Sequence, residues 1–132
     1  MLDRVYNFEN FFDKDERDFI KAQFENHGQW KLEGMSNNYI DSYRSFWFKD
    51  LIDHKGLVWV FKNKVETFLT KPIEVNRFYA NGQAHGQCGL FHSDVEPHEQ
   101  GEYGSLVYYI HDNWLPEYGG HLLIKEIGRA HV

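Results

Sequence analysis

At Pro72 the hydrophobic rhythm of the chain changes, and that change limits the available architectures more than any other feature. Before it, Leu57, Val60, Phe61, Val65, Phe68 and Leu69 return every three or four residues. This spacing predicts an amphipathic helix from about Gly56 to Thr70, ended by Pro72. Asp13 followed by Glu16 has the spacing of a capping box and predicts an earlier helix that carries Phe19, Ile20 and Phe24 and stops at Gly28. Between the helices, the aromatic-rich run from Ser42 to Phe48 suits a strand with Phe46 and Phe48 on one face. From Ile73 onward, four short apolar or aromatic runs are separated by Gly, Asn, Asp and Pro: Ile73 to Ala80, Gly89 to Val95, Ser105 to His111 and His121 to Glu126. Short strands at this spacing argue for a sandwich or barrel. The expected chain is α+β and mainly β beyond its N-terminal helices, with a helical support region over 1–72 and a β region over 73–126.

A chain of 132 residues can form one domain and bury roughly two-thirds of its unfolded surface. Its 42% hydrophobic and 17% aromatic content separates it from disordered chains, so a packed core is expected. The net charge of −6 gives no general reason to bind nucleic acid or an anionic membrane surface. No apolar run approaches the roughly 18 residues of a membrane span. Met1 to Asn10 lacks the basic-then-apolar pattern of a signal peptide, which leaves the cytoplasm as the expected location. Cys88 is the single cysteine, so no internal disulfide can form, and beside Gly89 it reads as a small buried or loop thiol. The loop from Asn81 to Gln87 is punctuated by glycine but lacks the Lys and Ser/Thr of a phosphate-binding loop.

The chemistry-bearing feature is Phe91-His92-Ser93-Asp94. Side chains two apart on a strand leave the same face about 7 Å apart, so His92 and Asp94 can converge on one cation. With one further histidine they would make the two-His-one-carboxylate facial set of non-haem Fe(II) oxygenases. One carboxylate against a dication leaves residual positive charge, which favours an anionic chelating co-substrate. The bland alternative is a surface imidazole near a carboxylate, and in a chain with eight histidines the pair alone is a weak signal. His98, in a polar loop, and His111, at a predicted strand end, are read as solvated. For His121, strand parity leaves both pocket and solvent open.

The surroundings of this pair are more specific. Arg77-Phe78-Tyr79-Ala80-Asn81-Gly82-Gln83, then Gly89-Leu90-Phe91-His92-Ser93-Asp94, then Leu106-Val107-Tyr108-Tyr109-Ile110-His111-Asp112-Asn113-Trp114, then Gly119-Gly120-His121-Leu122 follow one another along the chain. In order and spacing these four runs resemble the prolyl 4-hydroxylase branch of the iron(II)/2-oxoglutarate-dependent dioxygenases. The resemblance covers about Val75 to Ile124. It implies a double-stranded β-helix, a jelly-roll relative, with His92 and Asp94 on its second strand as two of the three iron ligands. It also implies that the Tyr79 hydroxyl hydrogen-bonds 2-oxoglutarate, that Tyr109 contacts the same co-substrate from the third strand, and that Leu122 forms an apolar wall of the pocket. The bland alternative for each tyrosine is a core residue with its hydroxyl at the rim.

The implied cofactors are Fe(II) and 2-oxoglutarate, with ascorbate as a further candidate. The implied reaction couples decarboxylation of 2-oxoglutarate to succinate with hydroxylation of an unactivated C–H bond. A peptidyl proline is the first expected substrate, followed by another protein side chain or a small molecule. His85 falls where relatives often carry a tyrosine facing the substrate, a departure that bears on substrate identity. Two rivals come from other classes: a non-catalytic jelly-roll binding module for sugar or protein, and a metal-dependent hydrolase or isomerase on a cupin-like barrel.

In the family, a third histidine ligand lies well beyond the His-x-Asp pair and is followed by a basic residue that pairs with the far carboxylate of 2-oxoglutarate. Neither has a counterpart here. The β-helix is therefore expected to be incomplete at the C-terminus, the isolated chain to fold poorly, iron and 2-oxoglutarate to bind it weakly, and its turnover to be negligible. The tail Ile127-Gly128-Arg129-Ala130-His131-Val132 equals the translation of a widely used sequencing adapter, so 127–132 is expected to be non-native and His131 is not counted as a ligand. Sequencing the source DNA across Lys125 is expected to reveal a reading frame that continues into a histidine and then an Arg or Lys. A native stop codon after Val132 would remove that expectation.

Overall fold

Asp13 starts the first helix as its spacing predicts. In the computed structural model, which describes residues 5–34, 46–84, 101–111, 113, 115–118 and 122, helix α1 spans Lys14–Glu25. The Asp13 carboxylate accepts the Glu16 N–H at 2.8 Å, and Glu16 Oε1 accepts the Asp13 N–H at 2.8 Å. These reciprocal bonds satisfy donors that a helix start leaves without partners. Glu16 Oε1 also accepts from Lys64 Nζ at 2.8 Å, so the cap of α1 is tied to helix α2, Lys55–Leu69. His54 caps α2 by accepting the Leu57 N–H on Nδ1 at 3.2 Å. Its Nε2 is left to donate to Gln23 Oε1 at 3.1 Å, which joins the start of α2 to α1. Both helices lie within a residue or two of their predicted bounds, the usual margin for helix ends.

The strands form a three-stranded antiparallel sheet in the order β1 (Lys31–Gly34), β2 (Phe46–Asp50), β3 (Tyr79–Gly82). Lys31 faces Phe48, and Asp50, Lys49, Phe48 and Trp47 face Tyr79, Ala80, Asn81 and Gly82. The register slips between Leu32 and Gly34. Strand β2 overlaps the predicted strand at Phe46 to Phe48 and runs on to Asp50, while residues 42–45 lie outside the described residues. The predicted strand from Ile73 narrows to its last two residues and continues to Gly82.

Ser105 to His111 carries no strand, contrary to expectation. Its Tyr108 and Ile110 pack instead on the helical core. The run Gly89 to Val95, and all of His121 to Glu126 except Leu122, lie outside the described residues. Among the described residues, then, the architecture is a small α+β unit of two helices and one three-stranded sheet, coarser than the expected double-stranded β-helix.

Phe12, Ile20 and Leu57 form the buried core, with Phe11, Val60, Phe61, Phe78, Tyr108 and Ile110 packed around them. The Phe12 ring meets Phe61 at 4.8 Å and Tyr108 at 5.1 Å edge-on, a favourable arrangement of ring quadrupoles. One face of the sheet meets the C-terminal end of α1. On that face Lys49 is only 4% exposed, its Nζ donates to the Phe24 carbonyl at 3.0 Å, and it lies 4.4 Å from the Phe24 ring centroid. Helix α1 has no basic residue in its last turn, so Lys49 supplies the cation that favours the carbonyl end of a helix. Gly28 allows this approach: its φ is +78°, and a Cβ there would meet Lys49 Cγ at 3.0 Å.

Burial holds the Lys49 ammonium below its usual pKa, so the folded protein binds this proton less tightly than the unfolded chain does. Where the unfolded state binds more protons, stability rises with pH. The urea midpoint of the wild type is expected to gain on Lys49→Met as pH climbs toward the usual lysine value of 10.5. Lys49→Ala, which also loses the charge-assisted bond and the ring contact, should cost about 2–3 kcal/mol in the same measurement.

Candidate functional site

Side chains of a strand alternate between faces, so seating Lys49 under α1 turns its neighbours Phe48 and Asp50 to the other side of the sheet. Cross-strand partners share a face, which adds Lys31 from β1 and Tyr79 and Asn81 from β3. On this face the Tyr79 ring leans on Phe48 with centroids 4.9 Å apart and planes at 33°. Tyr79 is 41% exposed, and its hydroxyl has no hydrogen-bond partner among the described residues.

Beside Phe48 the surface opens into a hollow of about 340 Å³ lined by Gln29, Lys31, Phe48 and Asp50. Such a volume lies at the small end of the roughly 300–1,000 Å³ typical of ligand pockets. Its walls combine an amide, a cation, a ring and an anion. Asp50 Oδ1 accepts the Ile52 N–H at 3.1 Å, but Lys31 and Asp50 form no ion pair with one another.

The remaining predicted residues are distributed differently. Tyr109 is exposed between Tyr108 and Ile110, which pack on the core, and no ring contact joins it to Tyr79. Leu122 is also exposed. His92 and Asp94, the predicted iron ligands, lie outside the described residues, as do His85, Cys88, His98, His121 and His131. His111 is exposed. Among the described residues, no group of three His, Cys, Asp or Glu side chains could hold a metal ion, and no helix is long and apolar enough to cross a membrane.

Two clusters carry no local signal in the sequence. The alternation from Phe46 to Asp50 places Phe48 and Asp50 on one face, but only the β1–β2 register brings Gln29 and Lys31 beside them. His27 and His54 form the other cluster, with rings 4.6 Å apart and His27 Nε2 at 3.2 Å from Asp53 Oδ1. Both ring nitrogens of His54 are engaged at the helix junction, so this pair serves the fold.

Comparison with protein-family models, with curated proteins and with solved structures gives no match. The chemistry of the open face is therefore read from its own residues. Tyr79→Phe keeps the ring on Phe48 and removes only the exposed hydroxyl, so its unfolding free energy is expected to stay within about 0.5 kcal/mol of wild type. A larger loss on denaturant titration would show that the hydroxyl has a structural partner.

Proposed function

We propose that this chain carries part of the active site of an Fe(II)- and 2-oxoglutarate-dependent dioxygenase of the prolyl 4-hydroxylase type. The observation that carries this reading is the ordered set of four motifs from Arg77 to Leu122, with His92 and Asp94 two positions apart inside it. In this reading the His92 imidazole and the Asp94 carboxylate hold Fe(II), with a third ligand from elsewhere. Such nitrogen and oxygen donors suit that ion. Bound Fe(II) and 2-oxoglutarate supply the activation of dioxygen.

The chain's own residues hold and orient. The Tyr79 hydroxyl donates to 2-oxoglutarate, while Tyr109 and Leu122 exclude water from the co-substrate. Support comes from the position of Tyr79 on the sheet face opposite α1, with a hydroxyl unengaged among the described residues. The exposure of Tyr109 and Leu122 is compatible with contact to a ligand. The substrate in this reading is a prolyl peptide or another molecule with an unactivated C–H bond.

With the full open reading frame expressed and kept anaerobic, Fe(II) plus 2-oxoglutarate is expected to give a visible charge-transfer band. His92→Ala should abolish it. Tyr79→Phe should weaken 2-oxoglutarate binding by about tenfold or more, the effect of one hydrogen bond to a charged acceptor. A wild-type protein that binds neither metal nor co-substrate and shows no band would sink the oxygenase reading in favour of a non-catalytic binding module.

A further inference from the structure

The hollow on the open sheet face has a property that a merely solvated surface does not need: it presents opposite charges to one small space without joining them. Lys31 faces Phe48 across the β1–β2 ladder, and Asp50 lies two residues along from Phe48. That diagonal places their backbones about 7–8 Å apart. The Phe48 ring adjoins both, and on the other side of Asp50 its cross-strand partner Tyr79 leans on that ring. Gln29 adds an amide that can both donate and accept. Lys31 and Asp50 form no ion pair with one another, so neither charge has to be pulled from the other before a ligand can use it.

A molecule complementary to this arrangement carries an ammonium and a carboxylate close together beside an apolar body. We infer that the hollow lined by Gln29, Lys31, Phe48 and Asp50 binds a free α-amino acid, with its carboxylate toward Lys31, its ammonium toward Asp50 and its side chain on the Phe48 and Tyr79 rings. A singly charged molecule would bring its charge near one side chain of like sign and leave the other wall unmatched. A neutral one would gain only the ring contact. Because both charged walls are solvent-exposed, each contributes modestly, and a dissociation constant of about a millimolar is expected. Binding requires no metal. That the bound amino acid is also the molecule hydroxylated rests on the oxygenase reading, but its capture does not.

The test uses the protein expressed from the full open reading frame, without iron, titrated by calorimetry at low salt with L-leucine, N-acetyl-L-leucine, L-leucinamide and N-acetyl-L-leucinamide. These probes share one side chain and carry both charges, the negative one, the positive one and neither. L-Leucine should bind saturably and about two- to fivefold tighter than either singly charged probe. Lys31→Gln should bring L-leucine down to the level of L-leucinamide, and Asp50→Asn should bring it down to that of N-acetyl-L-leucine. Circular dichroism should match wild type for both variants. Equal affinity for all four probes, preference for a singly charged one, or no saturable binding of L-leucine by the folded wild type would overturn the proposal. None of these outcomes bears on the charge-transfer band, so the two readings fail separately.

Discussion

The ammonium of Lys49, held between the carbonyl end of α1 and the sheet, decides which side of the sheet is available for chemistry. Taking a lysine to 4% exposure carries a desolvation cost, visible in its lowered pKa. The Phe24 carbonyl and the flanking Phe24 and Trp30 rings offset it, and the carbonyl end of a helix is a favourable place for a cation. Because the strand period is two, a slip of one residue in β2 would carry Lys49 into solvent and bring Phe48 and Asp50 under the helix. The buried cation and the open face thus belong to one register.

Few side chains among the described residues are fully buried, so polar ties between elements share the task of positioning them. Phe12, Ile20 and Leu57 fill the interface between the helices. Around them, single groups serve two partners at once. Glu16 closes the cap of α1 and receives Lys64 of α2, while His54 caps α2 and reaches back to Gln23 of α1. A helix cap made from a residue that also bridges to another helix couples secondary structure to packing. The loss of either contact is felt at both.

What could be read from the sequence divides along the range of the interactions involved. The helices were readable because a capping box and a spacing of three and four are local patterns, and they hold here at Asp13, Glu16 and the run from Leu57 to Leu69. Strand β1 was not, because Lys31-Leu32-Glu33-Gly34 carries no β-branched residue and only one apolar side chain, and is a strand by virtue of pairing with β2. The run at Ser105 to His111 shows the converse: its aromatic alternation is reflected in burial, with Tyr108 and Ile110 turned to the core, yet it joins none of the three described strands. In the candidate site, Tyr79 was named by its motif, whereas the hollow depends on a cross-strand register between residues 31 and 50 that no local pattern encodes.

The pairing of Asp50 with Tyr79 constrains how the two proposed ligands can share this face. 2-Oxoglutarate is a dianion, and like charges brought close on a partly desolvated surface repel one another. A co-substrate held by the Tyr79 hydroxyl would therefore lie away from Asp50, toward the Asn81 end of β3. That leaves the Asp50 side, with Lys31 across from it, better matched to a molecule bearing a positive group as well as a negative one. In the oxygenase reading, Tyr79 then stands at the boundary between the two, presenting its hydroxyl to one ligand and its ring, backed by Phe48, to the other.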